Sequence, residues 1–228
     1  MCKIYYTFLI IASSFIASHA NAAKFPANGA EFLTTCRTAT AMTEKQLRLP
    51  TRLLNAISLA ETGRWHDKNR EIVAWPWTVY SEGRGRYLPS KAAAIAEVRK
   101  LQAKGVKNID VGCMQVNLHW HPKAFKSLEE AFDPTANTSY AGNLLKKLRN
   151  ESKSWNFAVA YYHSRTKKYY VPYKAKVIRL WKEDRKRDTL VRLEKARAKH
   201  RAQRAALKKK REDAKKKRVA RIEKIANG

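Results

Sequence analysis

Apolar residues recur at helical spacing in several separate stretches of the chain. Leu53, Leu54, Ile57 and Ala60 form one stripe, and Glu61 falls on the same face, four residues after Ile57 and seven after Leu54. Leu49-Pro50 predicts the opening of this helix, because proline is well tolerated in a first turn. Gly63 predicts its C-terminal cap. Before it, residues 36–48 read as a helix with a polar face, after an irregular lead-in over 23–35. Ala94, Ile95, Val98 and Leu101 mark a further helix, with Ser90 as its N-cap and Gly105 at its end. Two more helices are expected near 137–149 and 155–164, and a last one from about 172.

The pattern changes between the second and third helices. Ile72, Val73, Trp75, Trp77, Val79 and Tyr80 favour a strand, which Pro76 demotes to an edge. Residues 81–85 read as a turn, and Arg86-Tyr87-Leu88 as the returning strand of a hairpin. Residues 106–122 read as a loop. From Lys182 onward there is no glycine before Gly228 and no proline, and Lys, Arg and Ala dominate. That segment is either a long charged helix or a disordered basic arm. The expected fold class is mainly α: a helical domain over 23–181 with a small β-hairpin, then a basic tail over 182–228.

Charge and export signals narrow the partners. The 228 residues carry a net charge of +29, and both 23–181 and 182–228 are strongly basic. Such a surface attracts polyanions in general. Residues 1–22 combine Lys3, an apolar run from Ile4 to Ile16, and the A-x-A pattern Ala20-Asn21-Ala22, which together read as a secretory signal peptide. An uncleaved membrane anchor is the alternative, although the run is short for a span. The expectation is a periplasmic, monomeric protein with no transmembrane helix in the mature chain. Nucleic acid is not an expected partner, since export and the absence of aromatic residues after Trp181 both argue against it. The tail is either a solvated helix or an attachment to an anionic envelope surface or secretion machinery. Once Cys2 is removed, Cys36 and Cys113 remain, and an oxidising compartment favours one disulfide over two separate thiols.

The candidate chemistry begins at Glu61. Burial on an apolar stripe and the negative end of a helix dipole both disfavour its ionised form. A raised pKa is what a general acid near neutral pH requires. The bland alternative is a helix-end glutamate paired with Arg64. His119-Trp120-His121 makes a poor zinc set, and neither a metal nor a cofactor is expected.

Ala60-Glu61-Thr62-Gly63, then Gly112-Cys113-Met114-Gln115-Val116-Asn117, then Ala160-Tyr161-Tyr162-His163-Ser164 occur in one order. In that order they resemble the motifs of the lysozyme-like lytic transglycosylases (the soluble lytic transglycosylase family). The third element departs from the family's Ala-Tyr-Asn-Ala-Gly at its Asn and Gly positions. The first two elements also stand farther apart than in compact members, resembling the branch associated with secretion systems. The resemblance covers roughly residues 36–181. It implies a lysozyme-like fold and cleavage of peptidoglycan glycan strands, with Glu61 as acid and then base and Tyr162 beside it. It further implies that Thr62, Gly112, Met114, Gln115, Asn117 and Tyr173 bind the substrate. Asn117 reads equally well as a turn residue, and Tyr173 as core. Asp110 reads as a turn anchor or as a second carboxylate. Trp75, Trp77 and Tyr80 read as sugar-stacking rings or as hairpin core. A lysozyme-type hydrolase and a non-catalytic envelope-binding module remain the alternative functions.

Overall fold

The computed structural model describes residues 32–226. The expected signal peptide over 1–22 therefore lies outside the described residues. Among these residues the protein is mainly α, with seven helices and two small sheets. No helix among them is long and apolar enough to cross a membrane.

The first two helices are α1 (Thr35–Leu47) and α2 (Leu53–Thr62). Pro50 does not open α2 as expected. It sits in a turn before it, where the Leu53 N–H bonds the Pro50 carbonyl at 3.1 Å. The helix start is instead satisfied from α1. Buried Glu44 accepts from the backbone N–H of Arg52, Leu54 and Asn55, at 2.8, 2.8 and 3.1 Å. A carboxylate there meets both the unpaired donors and the positive end of the dipole.

The expected hairpin is one part of a larger β region. Strands β1 (Gly63–His66) and β2 (Glu71–Ala74) pair antiparallel. The run Ile72–Tyr80 is thus broken at Trp75-Pro76-Trp77, because proline interrupts the ladder. Strands β3 (Thr78–Ser81) and β4 (Arg84–Tyr87) form the hairpin. The expected loop over 106–122 contains β5 (Asp110–Val111) and β6 (Val116–Asn117), giving a sheet of order β4-β3-β5-β6. Helix α3 (Lys91–Ala103) lies between β4 and β5, capped by a 3.1 Å bond from the Ala93 N–H to the Ser90 hydroxyl.

Helices α4 (Leu128–Ala131), α5 (Pro134–Ser152) and α6 (Trp155–His163) follow. Helix α7 (Lys167–Ala226) is one unbroken helix of 60 residues that carries Pro172 near its start. The basic tail is therefore helical, and it continues the domain's last helix through residue 182.

Two cores hold the body together. One joins α1, α2, α5, α6 and the start of α7 through residues such as Leu53, Leu54, Ile57, Leu145, Val159 and Val177. The other lies under the β3–β6 sheet and α3, and contains Trp75, Trp77, Val98 and Phe132. Trp75 and Trp77 are hairpin core, each packed edge-on against Phe32. The expected disulfide joins Cys36 and Cys113, tying α1 to the β5–β6 turn.

Candidate active site

The α2 helix ends where its chemistry begins. Glu61 is its penultimate residue and lines an open cleft of about 560 Å³. Gly63 follows in extended conformation, and its N–H bonds the Leu59 carbonyl. A Cβ at Gly63 would stand 2.2 Å from the Leu59 oxygen and 2.7 Å from Ile72, so only glycine lets α2 turn directly into β1. The Lys176 ammonium on α7 donates to the Ala60 carbonyl at 2.6 Å. Arg64 stacks on Tyr87, 4.6 Å from the ring centroid.

The Tyr173 hydroxyl on α7 donates to Glu61 Oε1 at 2.6 Å. Burial is the largest influence on this carboxyl and lifts its pKa from 4.5 to about 7. The Tyr173 hydrogen bond pulls the other way, nearby Asp110 adds to the rise, and Lys176 lowers it. Burial also holds the Tyr162 and Tyr173 phenols well above their ordinary range, with the charge of Glu61 adding to both shifts. Both phenols therefore remain donors across neutral pH.

The second motif builds the cleft floor. Gly112 adopts φ +79°, and its Cα faces Asn137, whose amide would meet a Cβ at 2.6 Å. Asn137 is held by bonds to the Val111 and Ala131 carbonyls and from the Met114 N–H. Met114 is fully buried, and its carbonyl accepts from the Tyr162 hydroxyl at 2.8 Å. Thr62 is buried as well, bonded to the Ser58 carbonyl at 3.1 Å. Thr62, Gly112, Met114 and Tyr173 are buried and are not among the residues that line the cleft. Tyr162 lines the cleft, but the direct bond to Glu61 comes from Tyr173.

Gln115 lines the cleft in a left-handed conformation, φ +47°, with its amide bonded to the Thr78 and Gly112 carbonyls. Asp110 and Asn117 line it from adjacent strands, and the Asn117 amide donates to Asp110 Oδ1 at 2.7 Å. Burial holds the Asp110 carboxyl above the usual carboxylate range. Tyr80, Asn108, Trp120, His121, Leu144 and His163 complete most of the lining. Of these, only Tyr80 was singled out as a sugar-facing residue from sequence. His163 stacks flat on Tyr173, with centroids 4.3 Å apart. It lies in the third motif beside Tyr162, a neighbourhood that could have flagged it. His121 bonds the Tyr140 hydroxyl at 2.9 Å. Among the described residues no group of His, Cys, Asp or Glu is arranged to hold a metal ion.

A carboxyl that titrates near 7 at the wall of a polar cleft can release a proton to a bound ligand and recover one from it. No family model, no curated protein and no solved structure matches this chain.

Proposed function

We propose that the protein is a lytic transglycosylase of peptidoglycan, and that Glu61 is its catalytic acid and base. The observation that carries this reading is the Glu61 carboxyl itself: at the cleft wall, oriented by Tyr173 and titrating at about 7. A single group poised near neutral pH suits a reaction that needs an acid first and a base second.

Protonated Glu61 donates to the oxygen linking N-acetylmuramic acid to N-acetylglucosamine, and the C1–O bond breaks. The resulting carboxylate takes the proton of the muramic C6 hydroxyl as that oxygen bonds to C1. The products are a free N-acetylglucosamine 4-hydroxyl and a 1,6-anhydro end; no water is consumed, and Glu61 ends protonated as it began. Tyr173 keeps its proton throughout and steadies the carboxylate between the two transfers.

Asp110 favours one second reading, since it lines the same cleft and raises the Glu61 pKa. With a water molecule it would make a two-carboxylate hydrolase of the lysozyme kind. Its tie to Asn117 and its own raised pKa suit it less to that task.

Digestion of purified peptidoglycan by the wild type and by Glu61→Gln, with mass spectrometry of the products, tests both readings. Anhydro-muramic ends from the wild type alone support the transglycosylase. Reducing ends transfer the protein to the hydrolases. No cleavage by either protein leaves an envelope-binding module. The tail belongs to the same proposal: its exposed basic helix holds the enzyme to anionic envelope material in the periplasm.

A further inference from the structure

We propose that Trp120 is a saccharide-stacking platform on the cleft wall, positioned by Asn117, and that Tyr80 is a second ring on the same wall. The inference rests on the reading of the ligand as a glycan. It assigns the part of the cleft that grips a β-1,4-linked N-acetylated sugar chain.

The β3–β6 sheet has two contrasting faces. Val79, Val111 and Val116 stand in register across three strands, and all three are buried. The adjacent register row is Tyr80, Asp110 and Asn117, and all three line the cleft. Alternation along each strand sets Val79 and Val111 on the core face and Tyr80, Asp110 and Asn117 on the cleft face, while Val116 on the outermost strand also borders the cleft. Gly85 pairs with Tyr80 at the outer edge and contributes no side chain, so the Tyr80 ring is unscreened there. Tyr80 is 43% exposed. Two strand spacings, roughly 10 Å, separate its strand from the one carrying Asn117.

Asn117 is fully occupied. An amide side chain offers two N–H donors and one oxygen with two lone pairs. Here the donors go to Asn108 Oδ1 and Asp110 Oδ1, at 2.6 and 2.7 Å. The oxygen accepts from the backbone N–H groups of His119 and Trp120, both at 2.9 Å. A sugar amide would have to displace one of these four bonds. The work of Asn117 is therefore to fix the turn that carries Trp120.

Trp120 is 71% exposed and borders the cleft. Its ring packs edge-on with His119, centroids 4.9 Å apart, and lies outside both cores. A large apolar ring exposed at the rim of a polar cleft, on a backbone pinned in place, offers preorganised area for a ligand to cover. The apolar C–H face of a pyranose fits that ring, and the polar sugar edges fit the Asp110, Gln115 and Asn108 groups beside it.

The test uses the full chain carrying Glu61→Gln, which keeps substrate uncut. Its affinity for β-1,4-linked N-acetylglucosamine oligosaccharides is read by calorimetry, and KM and kcat on peptidoglycan are read in the Glu61 background. Trp120→Ala should weaken binding and raise KM by about tenfold, with a smaller change in kcat. Trp120→Phe, which keeps a ring, should recover most of the loss. Asn117→Ala should follow Trp120→Ala in KM, and Tyr80→Ala should show a lesser loss that Tyr80→Phe restores. Unchanged affinity and KM in Trp120→Ala and Tyr80→Ala, with cleavage intact, would overturn the inference while leaving the proposed function standing. A parent protein that neither binds the oligosaccharide nor cuts peptidoglycan would overturn both.

Discussion

At the residue scale, the balance around Glu61 gives opposed predictions for its neighbours. General acid catalysis requires the protonated form, so activity should fall as pH rises through about 7. Tyr173 stabilises the ionised carboxyl by its hydrogen bond. Tyr173→Phe should therefore move that alkaline fall to higher pH. Asp110 acts in the other direction, and Asp110→Asn should move the fall to lower pH. A pH–rate profile of the three proteins checks both signs. Stability carries the same signature. The folded protein binds the Glu61 proton more tightly than the unfolded chain does, so stability is lost as pH rises from about 4.5 through 7. Glu61→Gln should thus be more stable than the wild type by about 3 kcal/mol at pH 8, with the gap closing below pH 5. Thermal melts across pH read that difference. The position of Glu61 on an apolar stripe was legible in the sequence. Its bond to Tyr173 was not, because 112 residues separate the two and no local pattern reports which helix crosses α2.

At the element scale, α1, α2, α3, α5, α6 and the start of α7 were legible from an apolar period or a recognisable cap, whereas the four-residue α4 was not expected and the tail sequence suits either a helix or a disordered arm. Ser90 is one such cap, since its hydroxyl lies three residues from the N–H it accepts. Strands β1, β5 and β6 were not legible. Strands β5 and β6 have two residues each, too short to show a period of two, and β1 (Gly63–His66) holds Trp65 as its single large apolar residue. The start of α2 misled for a different reason. Pro50 is a local helix signal, but the groups that satisfy the α2 N-terminus reach in from Glu44 on the preceding helix. The Gly112 turn is the element whose chemistry most constrains the cleft floor. Gly112→Ala would force a Cβ into a left-handed backbone position and against Asn137, which three hydrogen bonds prevent from yielding. The expected loss is about 2–4 kcal/mol, read by denaturant unfolding. Reduction of the Cys36–Cys113 bridge acts on the same turn from the other side. It frees a loop closed over a separation of 77 residues, worth about 4 kcal/mol in the chain-entropy view.

At the scale of the whole molecule, α7 has two parts with different physics. Its first turns are docked. Asp184 is fully buried, paired with Arg37 at 3.2 Å and Arg187 at 3.6 Å, and accepts from Asn55 at 2.7 Å. Arg52 reaches Asp188 at 2.7 Å, and Arg187 reaches Glu71 at 3.1 Å. Asp184→Ala would leave this cluster of guanidinium groups without its central charge and should cost about 3–5 kcal/mol. Beyond Asp188 the helix changes character, with every residue from 189 to 223 exposed. Leu190, Leu193, Leu207, Val219 and Ile222 fall within about a third of its circumference, but Arg197, His200, Arg204, Arg211 and Arg218 interrupt the same face, so the helix offers no continuous coiled-coil seam. Lys and Arg surround it on all sides, and at 1.5 Å per residue it extends roughly 50 Å past the body. Truncation after Asp188 should therefore leave the melting temperature of the body within a degree or two, a result that Asp184→Ala would not share. The same truncation should remove a large part, though not all, of the salt-sensitive binding to peptidoglycan sacculi in a pelleting assay, since the body is basic too. Exposed charges lose their attraction once the screening length falls to a few Å, as it does near 1 M salt. A full-length protein that pellets equally well at low and high salt would show instead that the cleft alone holds the polymer, and that the helix makes no electrostatic contribution to it.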